Sequence, residues 1–406
     1  MSHKRYRAPF SAIRAENPSG NRICSLGAPP QPPLQIVQRP PRGTQSVSLR
    51  LTRRSPFDTG SATIPHHTGD RDSEVRVTLA DVARRAGVSL MTASRAYRRG
   101  ELIAKGTRER VLAAGLELGY APNLLARGLV QNRTATVGIV ILELANPFFA
   151  PMVSGIQAVS ATRGFLIVVG ESERNEDEER RYVEQFLQLR IGGIIVSPVS
   201  SRLDHLARAR VAGTPVVVMA RQWEDGDYVT SDDVKGGQLA AQHLLRRGHR
   251  RVGIVRLGDP DHTPVQARVQ GFRDVLGTAG VQAPEAWDIR VSGALIEHGV
   301  EAADRLLGLP ERPSAVFVTS DRKAIGVVHR LLERGVRVPE DIAVIGYDDI
   351  PYAFCAQVPL TTVAVPKRPL GEMSAELLFD RLDGATVEES RQILLPPELV
   401  VRASCP

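Results

Sequence analysis

TLADVARRAGVSLMTASRAY, residues 78–97, decides the reading of this chain, because it describes two short helices that meet at a tight corner. Thr78 and Asp81 have the spacing of a capping box, in which the hydroxyl accepts from the Asp81 amide and the carboxylate accepts from the Thr78 amide. Leu79, Val82, Ala83 and Ala86 recur at helical spacing and make one apolar face, while Asp81, Arg84 and Arg85 lie on the other. Gly87 follows, and a glycine leaves a helix through the left-handed region at little steric cost. Ser89 is placed to cap a second helix. There Ala93, Ala96 and Tyr97 fall at i, i+3 and i+4 and face inward, so Leu90, Met91, Ser94 and Arg95 face out. Helices joined this closely predict a helix-turn-helix, whose second helix sets its N-terminal side chains against base edges in the DNA major groove. Arg95 has the fork for guanine O6 and N7. Ser89, Thr92 and Ser94 are short hydroxyls suited to phosphate oxygens, and Leu90 and Met91 offer apolar contact to thymine methyls. The competing reading is a capped amphipathic pair with no DNA role. A third helix, expected over residues 107–118, carries Val111, Leu112 and Leu118 on one face and is stopped by Gly119.

Three motifs in order then carry a resemblance. Val77–Arg95 follows the pattern V-T-x-x-D-V-A-x-x-A-G-V-S-x-x-T-V-S-R save at Ala93, Leu118–Leu129 reads L-G-Y-x-P-N-x-x-A-R-x-L, and Asn146–Phe149 reads N-P-F-F after a strand-like run. In these the chain resembles the LacI/GalR (lactose-repressor) family of bacterial transcription regulators, from about Val75 to the C-terminus. The resemblance implies a hinge helix at Pro122–Leu129 that forms when two subunits sit on DNA, with Leu129 wedged into the minor groove and Asn123 and Arg127 as further DNA-contacting positions. Eight residues are too few for a stable isolated helix, and an apolar wedge bends the duplex by unstacking one step. Gly128 stands where the family usually has serine, which should weaken that helix by about 0.5–1 kcal/mol. Arg98 replaces a usual asparagine and is expected to reach a phosphate. Ala93 replaces a usual valine, with the larger Tyr97 filling the lost volume.

The 406-residue chain divides by composition and charge into unequal parts. Residues 1–74 are rich in proline, arginine and serine and lack an apolar period, which predicts a disordered basic extension. A translation start near Val75 or Val77 is the competing expectation, which a native mass equal to the full chain would exclude. Formal charge is +6 over residues 1–74, +7 over 75–136 and −6 over the remainder. The positive charge sits where DNA contact is expected, since phosphate neutralisation releases counterions. The expected organisation is a helix-turn-helix domain over 75–120, a hinge or linker over 121–136, and a two-lobed effector-binding and dimerisation body over 137–406.

In the body, TVGIVIL, FLIVVG, GGIIVS, TPVVVMA, RVGIVRLG, AVFVTS and DIAVIGYDD read as buried parallel strands alternating with helix-length stretches. That pattern predicts a doubly wound α/β body, with a ligand outside the carboxyl ends of the strands. The resemblance implies a fold like periplasmic sugar-binding proteins, with an effector between two lobes. The first lobe is expected over about 137–230 plus part of 290–330. Carried over by position, Phe149 stacks on a sugar ring, Arg268 clamps a hydroxyl or carboxylate, Asp348 accepts from hydroxyls, and Arg221 and Asp321 are weaker candidates; caps or structural ion pairs compete for each. Ala220 replaces a usual aspartate and Ser320 a usual asparagine, so the ligand need not be a common neutral sugar, and Arg221 and Arg268 without that aspartate hint at an acidic effector.

Other chemistry is not written here. Cys24, Cys355 and Cys405 have no metal or disulfide spacing, and no GxSxG, P-loop or GxGxxG occurs. The acidic run ERNEDEERR at 173–181 is expected to be a solvated helix start. The expectation is a cytoplasmic, homodimeric regulator, more a repressor than an activator, that binds a palindromic operator in double-stranded DNA under control of a small sugar or sugar-acid effector. No enzyme activity, cofactor, metal or membrane association is expected. The competing functions are a carbohydrate-binding sensor or transport protein and, behind it, an α/β sugar enzyme.

Overall fold

A computed structural model describes residues 77–98, 103–121, 134–281, 283–384 and 390–406. Helix α1 spans Leu79–Ala86, and the Thr78–Asp81 capping box is complete at its start. Such a cap contributes about 1 kcal/mol. Gly87 closes the helix at φ 65° and donates back to Ala83 and Arg84 carbonyls. The corner then feeds α2, Leu90–Arg98, capped by Ser89, whose hydroxyl accepts from the Thr92 amide at 3.1 Å. Helix α3, Lys105–Glu117, starts two residues before the expected position. Together the three helices bury Val82, Ala83, Ala86, Ala93, Ala96, Val111 and Ala114.

That core is made of small side chains, so the larger Tyr97 matters. Its ring meets Tyr120 edge-on at 5.5 Å, and its hydroxyl lies over Gly115, where an added Cβ would come within 1.8 Å of it. Tyr97→Val is therefore expected to cost about 1–3 kcal/mol, read as a lower first transition in a thermal melt of the full chain. A variant melting no lower than the parent would refute this packing role.

The body follows with alternating strands and helices. In chain order these are β1 Thr134–Ile141, α4 Ala150–Thr162, β2 Leu166–Glu171, α5 Glu176–Gln188, β3 Ile191–Val196, α6 Asp204–Val211, β4 Val216–Met219, β5 Asp227–Ser231 and α7 Asp233–Arg246. Then come β6 Val252–Leu257, α8 Thr263–Thr278, β7 Asp288–Val291, α9 Ile296–Leu307, β8 Ala315–Val318, α10 Asp321–Glu333, β9 Ala343–Asp348 and the single turn α11 Tyr352–Cys355. The chain closes with β10 Thr361–Ala364, α12 Lys367–Leu382, β11 Gln392–Leu395 and β12 Glu398–Val400. Two six-stranded sheets result, ordered β11-β5-β4-β3-β1-β2 and β12-β10-β9-β8-β6-β7. All pairings are parallel except β10 with β12. β3 and β6 are buried at every position, as strands covered by helices on both faces must be.

All seven expected strands are present. The lobe division differs from the sequence expectation. Residues 290–330 belong entirely to the second lobe, and the first lobe is completed instead from the C-terminal end, where β11 pairs with β5 and α12 packs on α4 and on β3, β4 and β5. The physical reason is pairing: Gln392–Leu395 is short and only half-buried, and what fixes its lobe is the β5 edge it meets, which no local pattern records. The chain therefore passes between lobes three times, after β5, after β10 and after β11. Helix pairs in both lobes cross at glycines. A Cβ on Gly237 of α7 would lie 1.9 Å from the Arg268 carbonyl oxygen of α8, so these backbones are in direct contact.

Candidate functional site

Two surfaces collect the candidate residues. On α2, Leu90 and Met91 are 55% and 64% exposed while Ala93 and Ala96 are buried, so the helix presents the face assigned from its period. Ser89 and Arg95 are exposed, and Thr92 and Ser94 are half-buried. Among the described residues nothing pairs with the Arg95 side chain, whereas Arg84 is engaged by Asp81 and Arg85 by Glu117. An extended guanidinium on the open face of a short capped helix has the reach for a base edge. Arg98 is the last residue of α2. Asn123, Arg127 and Leu129 lie outside the described residues.

The second surface is a cleft built from strand ends. The first five strands of each sheet in chain order lie as 2-1-3-4-5, which puts a topological switch point beside β1 in one lobe and β6 in the other. Residues at or just past the ends of β1, β3, β4, β6, β8 and β9 line one cavity of about 90 Å³, room for about three waters at their volume in the liquid. Three of its lining residues hold positive-φ backbone without being glycine, Arg174 and Ala220 at φ 61° and Asp348 at φ 109°. Such conformations cost about 1–3 kcal/mol each and collect at functional sites.

Phe149, Arg221, Arg268 and Asp348 all line this cavity. Phe149 sits just before α4 and stacks edge-on against Phe148 at 5.2 Å. Arg268 on α8 is buried and donates through Nε to Asp233 at 2.8 Å, through Nη1 to the Thr319 carbonyl at 2.8 Å and to Asp348 at 3.4 Å. Its guanidinium lies over the Tyr347 ring at 3.7 Å. Burial pushes the Asp348 carboxyl up to about 6, against the pull of Arg268, Lys367 and Lys323. Arg221 is buried yet meets no carboxylate among the described residues, donating instead to the Asp261 and Val199 carbonyls at 2.9 and 3.2 Å.

Asp321 stands behind the lining rather than in it. It accepts from the Thr362 hydroxyl at 2.6 Å and the Ile350 amide at 3.0 Å, so both carboxyl oxygens are engaged in holding β9 and β10 at α10. Its carboxyl is raised well above the ordinary range by burial and by Asp348.

Several residues escape a reading of the sequence. Lys323 is 2% exposed and lines the cavity, with Arg174, Arg322 and His262 around it. Arg322 pairs with Glu143 at 2.8 Å, and Arg174 meets the same carboxylate at 3.9 Å. Nor is the acidic run wholly solvated: Glu179 is buried, accepting from His205 at 2.8 Å and from the Val199 amide at 2.7 Å, and so fixes the loop whose carbonyl binds Arg221. A buried acid in a charged run gives no local signal, because its partner is 26 residues away.

The comparisons with known proteins follow the same two surfaces. Residues 78–123 match the family described as "Bacterial regulatory proteins, lacI family", and residues 241–405 match the "Periplasmic binding protein-like domain". Over 332 residues the chain is 35% identical to the ribose operon repressor of Escherichia coli (strain K12), covering 80% of this chain and 99% of the relative. It is 34% identical over 331 residues to the HTH-type transcriptional repressor PurR of Photobacterium profundum, covering 80% and 98%. Among solved structures it is similar to a lac repressor dimer bound to operator and the anti-inducer ONPF, with TM-score 0.73, 27% identity, and coverage of 81% of this chain and 99% of that one.

Proposed function

The chain belongs to the lacI family of bacterial regulatory proteins, and on that premise we propose that it is a sequence-specific DNA-binding transcriptional repressor whose operator affinity is set by a small sugar or sugar-acid effector. The observation that carries the reading is the open face of α2, where Arg95, unpaired among the described residues, stands between exposed apolar residues and short hydroxyls. Ser89, Thr92, Ser94 and Arg98 position that helix on phosphates, and Asn123, Arg127 and Leu129 act from the hinge. Two heads in a homodimer read a palindromic operator.

The effector occupies the cleft between lobes, on Phe149, Arg221, Arg268 and Asp348, with Asp321 holding the wall behind. A ligand that binds one lobe closure better than another shifts the equilibrium between them, and DNA affinity changes by that difference in binding free energy alone. The protein works in the cytoplasm, beside the DNA, and carries no catalytic role. No described helix is long and apolar enough to cross a membrane.

The test is binding to labelled DNA from upstream of the protein's own and neighbouring genes, titrated at two salt concentrations with and without sugars and sugar acids. One palindromic fragment should be bound tightly and salt-dependently, and one compound should change that affinity. Equal weak binding to every fragment would overturn the reading. Within this assay, Arg95→Ala is expected to reduce discrimination between the operator and a fragment with the contacted guanine replaced by about 1–3 kcal/mol, while a phosphate-only role would weaken all fragments alike.

A further inference from the structure

The cavity between the lobes is rich in positive charge. Arg174, Arg221, Arg268, Arg322 and Lys323 line it against one lining carboxylate, Asp348. Among the described residues, Asp233 and Glu143 are the other carboxylates within ion-pair distance of these cations. All three go to arginines: Asp233 and Asp348 to Arg268, and Glu143 to Arg322 and Arg174. Two cations are left over. Arg221 spends its donors on backbone carbonyls and the Thr263 hydroxyl, and the Lys323 side chain makes no hydrogen bond or ion pair among the described residues. A buried ammonium with no direct ion-pair partner is costly to hold, and this one lines a space that something else can fill.

A second group records the same field. His262, also on the lining, is held neutral down to about 3, first by burial and then by Arg221, Arg268, Arg174 and Lys323. A field that keeps a proton off an imidazole favours a negative charge in the cavity. The rest of the lining is suited to a small hydroxylated molecule: Asp348 can accept from hydroxyls and Phe149 can cover an apolar ring face.

We propose that the effector is an acidic sugar, a monosaccharide-sized molecule bearing one carboxylate or phosphate, whose anionic group is received by Lys323, with Arg221 on the same lining. This rests on the cleft being the effector site. In the ligand-free protein the Lys323 amine has no direct ion-pair partner among the described residues, and an anionic ligand supplies one. A charge-assisted hydrogen bond in such a place favours the acid over its neutral parent by about ten- to a hundred-fold.

Titration calorimetry on the full chain tests this with four probes: D-gluconate, D-ribose 5-phosphate, D-ribose and inorganic phosphate. The expected result is that gluconate or ribose 5-phosphate binds at least about ten-fold tighter than ribose, and which of the two does so identifies the anionic group. In Lys323→Met that preference should vanish, and in Lys323→Arg it should largely return; near-ultraviolet circular dichroism of each variant checks that it is folded. Ribose binding as tightly as the acids overturns the inference and leaves the cleft reading standing. So does an unchanged preference in folded Lys323→Met. Inorganic phosphate matching the sugar acids overturns it as well, since the site would then read charge alone. Silence from all four probes overturns the cleft reading and the inference with it.

Discussion

Replacing Arg268 with methionine lowers the stability of the protein by about 3–5 kcal/mol at neutral pH, because one side chain neutralises two buried acids at once. Asp233 and Asp348 are each about one-tenth exposed, and Arg268 is their shared cation. Methionine fills the space over the Tyr347 ring but takes the ion pair from both carboxylates, leaving Asp348 only the pull of Lys367 and Lys323, and leaves the Thr319 carbonyl without its donor. The loss depends on pH in a definite direction. Asp348 already titrates up at about 6 in the parent, above its ordinary 3.8. An acid raised in the fold contributes stability that is fully present below its unfolded value and is lost as pH rises through its folded value. Removing Arg268 raises both acids further, so the gap between parent and variant widens from pH 5 to pH 8. Urea unfolding at those two pH values measures it, and equal stability at pH 8 would show that the guanidinium is dispensable. Arg268→Lys restores charge without the planar fork and should recover only part of the loss.

Lys323→Met is expected to act in the opposite sense, making the ligand-free protein more stable at neutral pH by a few kcal/mol. Burial drives the lysine from 10.5 down to about 7, opposed by Asp348 and reinforced by Arg268, Arg174 and Arg322; His262 faces the same space and is neutral. A lysine depressed in the fold contributes stability that is present above its unfolded value and is lost as pH falls through its folded value. Between 7 and 10.5 the unfolded chain holds the extra proton, so the parent gains about 1.4 kcal/mol per pH unit over that window. Methionine has nothing to titrate. Asp348 completes its own change near 6, below the window. Urea melts at pH 7.5 and 9 should therefore show the parent gaining about 2 kcal/mol and the variant staying flat in comparison. A parallel rise in both proteins would place the ammonium in water rather than in the wall. A position that costs stability when empty is what a binding site under selection for its ligand is expected to contain.

These two residues also show where sequence reading stops. The capping box at Thr78, the left-handed Gly87 and the inward Ala93 and Ala96 are local in cause, and the sequence displays local causes. The seven strands read as apolar runs are equally plain, because strands covered on both faces must be apolar throughout. β5, β7, β10, β11 and β12 are three to five residues long and partly polar, and pairing partners rather than pattern make them strands. Phe149, Arg268 and Asp348 are reached by resemblance, the first and last at the ends of elements and Arg268 within α8. Lys323 is not, since it sits at the start of a helix among residues that read as an ordinary amphipathic opening; only the meeting of β8, β9 and α8 around it turns that lysine into cavity wall. Asp233 escapes for a related reason, as the first residue of α7 that reads as a helix-capping acid and is in fact the buried partner of Arg268.

The three passages of the chain between lobes bear on how this protein is made. A ribosome delivers β1 to β5 early, yet the sheet they begin lacks its β11 edge, and the apolar face that Leu370, Ala375, Leu378 and Phe379 will cover stays bare until α12 emerges. Asp227, whose buried carboxylate is met by Arg381 at 2.8 Å, waits equally long for its cation. The lobe nearest the head in sequence is thus finished last, together with the second lobe that β12 closes. A message cut short before α12 cannot leave behind a head carried on one sound lobe, free of effector control and still able to occupy DNA. It leaves a sticky fragment for proteases, so regulation and integrity of the polypeptide are lost or kept together.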